Sequence, residues 1–162
     1  MKKDEIYKFL KNIGVKFKLD NHKAVFSMGE LDDESLKYPN RQSKNLFLKD
    51  RKKQNYYLIT VLGDKRVNLK EFSDKFKTKR LSFATPDELF EILNLTTGSV
   101  TPFGILNDKN NKVECFLDSE FMLENHIIGV HPNDNTATIW LKTDDLVKII
   151  KNHGNKISVV SL

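Results

Sequence analysis

The apolar positions of this chain change their period several times, and each change marks an element. Ile6, Phe9, Leu10 and Ile13 recur at helical spacing with Gly14 as a stop, which predicts an amphipathic first helix. Apolar and basic residues then alternate from Val15 to Leu19, the period of a short strand. A short helix is predicted within Phe26 to Leu36, ahead of a loop at Tyr38-Pro39-Asn40. Leu46 to Lys49 and Tyr56 to Leu62 read as two strands joined by the polar turn Asp50-Arg51-Lys52-Lys53-Gln54-Asn55. That hairpin would carry a basic tip outward on a rigid support.

Further along, Asn68 to Phe76 predicts a helix with Leu69, Phe72 and Phe76 inward, and Pro86 to Leu95 another, capped by Thr85 and opened by proline. Gly104 to Asn107 and Val113 to Asp118 flank the turn Asp108-Lys109-Asn110-Asn111, a second predicted hairpin. His126 to Val130 and Thr136 to Leu141 flank Pro132-Asn133-Asp134-Asn135, a third. Thr143 is expected to cap a helix through Asn152 that stops at Gly154, with Ile157 to Val160 as a last strand. Neither a repeat nor a linker interrupts the series. The expectation is one α+β domain over residues 1–162, with a mixed, largely antiparallel sheet curled toward a partial barrel and flanking helices.

Composition narrows the classes. A chain of 162 residues can bury one ordinary core, and a single cysteine, Cys115, cannot form an internal disulfide. No stretch is apolar enough for a signal peptide or a membrane span, so a cytoplasmic protein is expected, with no membrane partner and as a monomer. The net charge of +5 hides an asymmetry: Lys37 to Arg80 holds fourteen Lys or Arg against four Asp or Glu, whereas Leu81 to Leu162 holds six against eleven. A regional surplus of cations attracts a polyanion, and nucleic-acid phosphate is the commonest such partner, although a solvated lysine-rich surface has the same composition.

Candidate chemistry concentrates in three stretches at strand edges: Ser43-Lys44-Asn45-Leu46-Phe47-Leu48, Gly98-Ser99-Val100-Thr101-Pro102 and Gly129-Val130-His131-Pro132. Lys44 stands directly before an apolar run; a lysine is usually solvated, but one held at a strand mouth would be partly desolvated and could grip a phosphate or carbonyl oxygen. Gly98 to Pro102 is at least a turn, in which glycine could let backbone N–H groups approach an oxyanion. His131 before Pro132 reads first as a histidine that hydrogen-bonds its own loop. Cys115 alternates with Val113 and Leu117 and reads as a buried apolar thiol. His126 and His131 find no cysteine or paired carboxylate to complete a metal site, and no Gly-x-Ser-x-Gly elbow surrounds Ser99. His22 and His153 look like surface residues.

Taken in order, the Lys44-to-Leu48 segment, the basic hairpin with Tyr56-Tyr57-Leu58, Arg80-Leu81-Ser82-Phe83-Ala84, Gly98 to Pro102 and Gly129 to Pro132 resemble the free-standing prolyl-tRNA editing proteins. These are relatives of the insertion domain of bacterial prolyl-tRNA synthetase, in the YbaK/aminoacyl-tRNA synthetase-associated superfamily. The resemblance covers nearly the whole chain and implies an aminoacyl-tRNA deacylase that acts in trans and needs no cofactor, working either alone or transiently beside prolyl-tRNA synthetase. The wording around Lys44 and Arg80 is similar to the branch acting on alanyl-tRNA(Pro); cysteinyl-tRNA(Pro) deacylation and a non-catalytic tRNA-binding module are the alternatives, and a free amino-acid sensor a weaker third.

By that resemblance Lys44 would place the acceptor end or its ester, and Gly98 with the loop through Ser99 to Pro102 would bind the carbonyl oxygen. His131 would line the amino-acid pocket, with Asn45 as a supporting contact. Arg51, Lys52, Lys53 and Arg80 would hold tRNA. An aminoacyl ester is already activated, so orientation, oxyanion stabilisation and a placed water suffice without a covalent intermediate.

Overall fold

The computed structural model describes residues 1–22, 38–52, 55–63, 65–123 and 126–162. Its elements are α1 (Lys3–Asn12), β1 (Phe17–Asn21), a 3-10 turn (Pro39–Arg41), β2 (Ser43–Asp50), β3 (Tyr56–Leu62), α2 (Leu69–Phe76), β4 (Leu81–Phe83) and α3 (Pro86–Leu93). After them come 3-10 turns at Pro102–Asn107 and Ser119–Met122 around β5 (Val113–Asp118), then β6 (Ile127–Val130), β7 (Ala137–Lys142), α4 (Thr143–His153) and β8 (Ile157–Val160). The strands form a three-stranded sheet, β1-β7-β6, and a five-stranded sheet, β4-β2-β3-β5-β8. A parallel bridge between Gln42 and Gly129 joins the two, giving a curled arrangement that does not close.

Local chemistry explains where the helices stop and start. Asn68 Oδ1 accepts from Glu71 N–H at the start of α2. Thr85 and Glu88 form a reciprocal capping box on α3, with Pro86 supplying a preset φ. Asn94 and Gly154 end α3 and α4 in the left-handed region. Thr143 turns out to be the first residue of α4 rather than its cap; it is fully buried and its hydroxyl donates to the Phe121 carbonyl instead.

Strict alternation along the central strands divides the core. Phe47, Leu58, Val113, Cys115 and Leu117 face a larger cluster built with α1, α3, α4 and the small sheet. Leu48, Tyr57, Ile59, Val61 and Phe116 face the other way, onto Phe72 and Phe76 of α2. Cys115 is buried as expected, and burial pushes its thiol pKa far up, so it is inert.

One predicted hairpin is not there. Residues 102–107 form a 3-10 turn rather than a strand, because Gly104 packs so tightly under Leu95 that a Cβ would lie 2.6 Å from Leu95 Cδ1. Asp108 then accepts from the main chain of Lys112 and Val113, which redirects the chain into β5. β5 consequently runs parallel to β3 on one side and to β8 on the other. The helix predicted within Phe26 to Leu36 lies outside the described residues. Among those residues, no helix is long and apolar enough to cross a membrane.

Candidate active site

The ladder of β2 decides what its residues can offer. Gln42 C=O accepts from Gly63 N–H and Asp50 N–H donates to Asn55 C=O, so the even-numbered residues bond β3. The odd-numbered residues therefore turn their main-chain groups to the opposite edge. There Phe47 C=O takes Ala84 N–H, and β4 pairs only with residues 48–50. Between that contact and the Gln42–Gly129 bridge no strand among the described residues pairs with β2, so the main chain of Asn45 faces a gap between the described strands of the two sheets.

Side chains alternate in step. Ser43 Oγ donates to the Gly129 carbonyl at 2.6 Å, Asn45 Nδ2 donates to Ser43 Oγ at 3.3 Å, and Thr60 Oγ1 donates to Asn45 Oδ1 at 2.6 Å. Lys44 lies within β2, not before it, opposite Val61, and alternation puts it on the other face with Leu46 and Leu48. It is half-buried, and its ammonium makes no hydrogen bond or ion pair with a described residue.

The two bends meet each other directly. Gly98 occupies the third position of the turn from Thr96 to Ser99 with φ of +90°, a conformation open to glycine, and Ser99 N–H closes the turn on Thr96 C=O at 3.0 Å. Ser99 itself is buried. Thr101, fully buried, donates its hydroxyl to the His131 carbonyl at 2.6 Å, and Pro102 then opens the 3-10 turn. Gly129 is fixed by packing, not by φ: a Cβ there would lie 2.2 Å from the ring of Trp140, its cross-strand partner.

His131 donates from Nδ1 to the Ala137 carbonyl at 3.0 Å, which leaves Nε2 as an acceptor on the neutral ring. Burial holds its pKa below the usual value, with the nearby His22 ring adding to the effect. His22 is not a free surface residue. Its Nε2 sits 2.9 Å from Thr138 Oγ1 and its ring meets His131 edge-on at 6.2 Å. His153 likewise bonds Asn155.

Beside the gap, Lys49 and Tyr56 converge on Glu88, each at 2.7 Å. Burial alone would raise the Glu88 pKa, but bonds from Lys49, Tyr56 and Thr85 outweigh it and hold the carboxylate at about 2. Tyr56 is pushed up to about 12, first by burial and then by Glu88. This triad ties the start of α3 to β2 and β3.

Of the predicted tRNA contacts, Arg51 and Lys52 are exposed at the hairpin tip and Arg80 is exposed ahead of β4, while Lys53 lies outside the described residues. Some of the cation surplus is spent internally. Arg41 is buried, bonded to the carbonyls of Ile127, Glu120 and Leu123, and Lys49 and Lys65 pair with Glu88 and with Asp118 and Glu120. Sequence reasoning passed over Ser43, Thr60, Thr101 and His22. A lone threonine inside the apolar run of β3 was the available signal for Thr60; Thr101 lay inside a recognised loop whose glycine drew the interest.

The family profile described as "Aminoacyl-tRNA editing domain" matches residues 22–149. The chain belongs to that family, and so to a class of hydrolases that deacylate aminoacyl-tRNA. Among its relatives, the "Prolyl-tRNA editing protein ProX" of Acetoanaerobium sticklandii is 37% identical over 153 residues, covering 94% of this chain and 93% of that protein. The "Prolyl-tRNA synthetase associated domain-containing protein 1" of Bos taurus is 32% identical over 146 residues, covering 88% and 85%. A solved structure assigned as a candidate trans-editing enzyme for prolyl-tRNA synthetase superposes with a TM-score of 0.69 at 18% identity over 99% of this chain and 96% of the other, a likeness of fold.

Proposed function

We propose that this protein acts in trans on tRNA(Pro), hydrolysing the ester of alanine wrongly attached to its terminal ribose. The observation that carries the reading is the pair of bonds from Thr101 to the His131 carbonyl and from Ser43 to the Gly129 carbonyl, which lock both bends against the edge of β2 that no described strand pairs. An ester entering that gap would find backbone N–H groups of the Gly98 turn as donors to the oxyanion that forms when water attacks. Neutral His131 offers Nε2 to the α-ammonium group of the amino acid. Lys44, on the far face of β2, would reach the acceptor end around the edge that no described strand pairs.

No covalent intermediate is needed. The water adds to the carbonyl, the tetrahedral oxyanion collapses, and the ribose oxygen leaves with a proton, which the adjacent ribose hydroxyl can relay. Proline is rejected by volume, since walls fixed by buried threonine hydroxyls and by Trp140 cannot widen for its ring. The relatives named for prolyl-tRNA editing support tRNA(Pro) as the carrier. Cysteine, close to alanine in size, is the second reading, supported by the small volume difference alone.

The deciding assay offers purified protein alanyl-, cysteinyl- and prolyl-tRNA(Pro), with alanyl-tRNA(Ala) as control. Selective loss of alanine from tRNA(Pro) is expected. Equal or faster release of cysteine would move the specificity to the second reading, and intact esters throughout would leave only a tRNA-binding protein.

A further inference from the structure

Phe83 is 60% exposed although it belongs to a strand, an unusual position for a large aromatic side chain. Its cross-strand partner is Leu48, which is fully buried, so the ring leaves β4 on the sheet face that also carries Leu46 and Lys44. The support beneath it is rigid. The ladder to β2 holds one side of β4, Ala84 N–H bonds the Phe47 carbonyl, and the next residue, Thr85, caps α3. Exposed Lys79 and Arg80 precede it on the chain. The gap at Asn45 begins three residues before Leu48 on β2, about 10 Å away at strand rise.

An exposed aromatic ring on a fixed strand, bordered by cations, is the arrangement by which proteins hold single-stranded nucleic acid: the ring stacks a base while the charges follow the phosphates. We infer that Phe83 is the stacking platform for the terminal adenine of the tRNA 3′ end, which would anchor that nucleoside about 10 Å along β2 from the gap. The inference rests on the proposed action on aminoacyl-tRNA and adds a binding contact that the sequence reading did not assign. Lys44, on the same face, stands next to Asn45 on the side away from Leu48 and can meet the ribose or the last phosphate.

The test uses uncharged tRNA(Pro) carrying 2-aminopurine in place of its terminal adenine, whose fluorescence reports stacking. Wild-type protein is expected to quench it on binding. Phe83→Leu should abolish the quench and weaken binding roughly 5- to 150-fold, with an unchanged slope of affinity against salt and an unchanged melting temperature. Phe83→Trp should restore the quench. Binding without quenching by the wild type, or equal quenching by Phe83→Leu, overturns the inference. The two readings separate cleanly: a quench without deacylation of any charged tRNA(Pro) would refute the proposed reaction and leave the platform standing, whereas deacylation without a Phe83-dependent quench would do the reverse.

Discussion

Thr101 Oγ1 and the carbonyl oxygen of His131 lie 2.6 Å apart, thirty residues from each other in sequence, and that bond makes one wall out of two loops. The donor end is shielded from water, since Thr101 is fully buried. Thr101→Val keeps the shape and removes the donor, so the carbonyl is left unsatisfied at a cost of about 1–3 kcal/mol. Thermal denaturation should register that loss, and deacylation should fall by more than tenfold because the Gly98 turn is no longer registered against His131. Thr101→Ser should recover most of both. Full activity in Thr101→Val would mean that the bends hold their geometry without this bond.

Lys44 separates stability from function. Its ammonium bonds no described residue, and the side chain is only half-buried. Lys44→Ala should therefore cost no more than about 1 kcal/mol in stability while single-turnover deacylation falls at least a hundredfold. Lys44→Arg should not rescue, because a planar fork replaces a compact charge on a differently shaped stem. Turnover within a few-fold of wild type in Lys44→Ala would remove this residue from the mechanism.

How much of this was readable beforehand follows from the range of the forces involved. The β2–β3 hairpin, the β6–β7 hairpin and α1 to α4 were legible because alternation, caps and glycine stops are local. The 3-10 turn at 102–107 was misread as a strand because the reason for it, Leu95 closing over Gly104, comes from a different segment. Asp108 and the parallel pairing of β5 with β8 were invisible for the same reason. At the site, the residue types and the three stretches were evident, but not the face on which each residue falls. Ser43 and Asn45 share a hydrogen-bonded network, while Lys44 departs oppositely, which could be settled only by the register against β3.

The Glu88 triad gives the fold a dependence on acid. Its folded pKa of about 2 lies below the ordinary 4.5, so the unfolded chain binds more protons between those values and stability rises with pH there. The contribution is complete above pH 4.5 and is lost as pH falls toward 2. With side-chain exposures of 12% and 15% for Lys49 and Glu88, screening is modest, and at most about 3 kcal/mol is at stake. Urea denaturation of wild type and Glu88→Gln should show a gap near pH 7 that narrows steadily below pH 4.5. A gap constant down to pH 2.5 would show that Glu88 titrates normally in the folded protein.

His131 should impose a second and separable dependence, on activity. Burial depresses its pKa, so the ring is neutral in the folded protein at pH 7, with Nδ1–H committed to Ala137 and Nε2 free to accept. A depressed folded pKa makes its contribution to stability complete above the unfolded value, about 6.5, and progressively lost as pH falls below it. Protonation would also turn the acceptor into a donor facing the substrate's own ammonium group, so binding fails by charge repulsion as well as by the lost bond. The kcat/KM of wild type is therefore expected to be flat from pH 8 to about 6.5 and to decline on the acid side. His131→Gln keeps a hydrogen-bonding side chain that does not titrate and should be slower at pH 7 but flat across the same range. An acid limb of equal depth in the variant would assign that titration to a group other than His131.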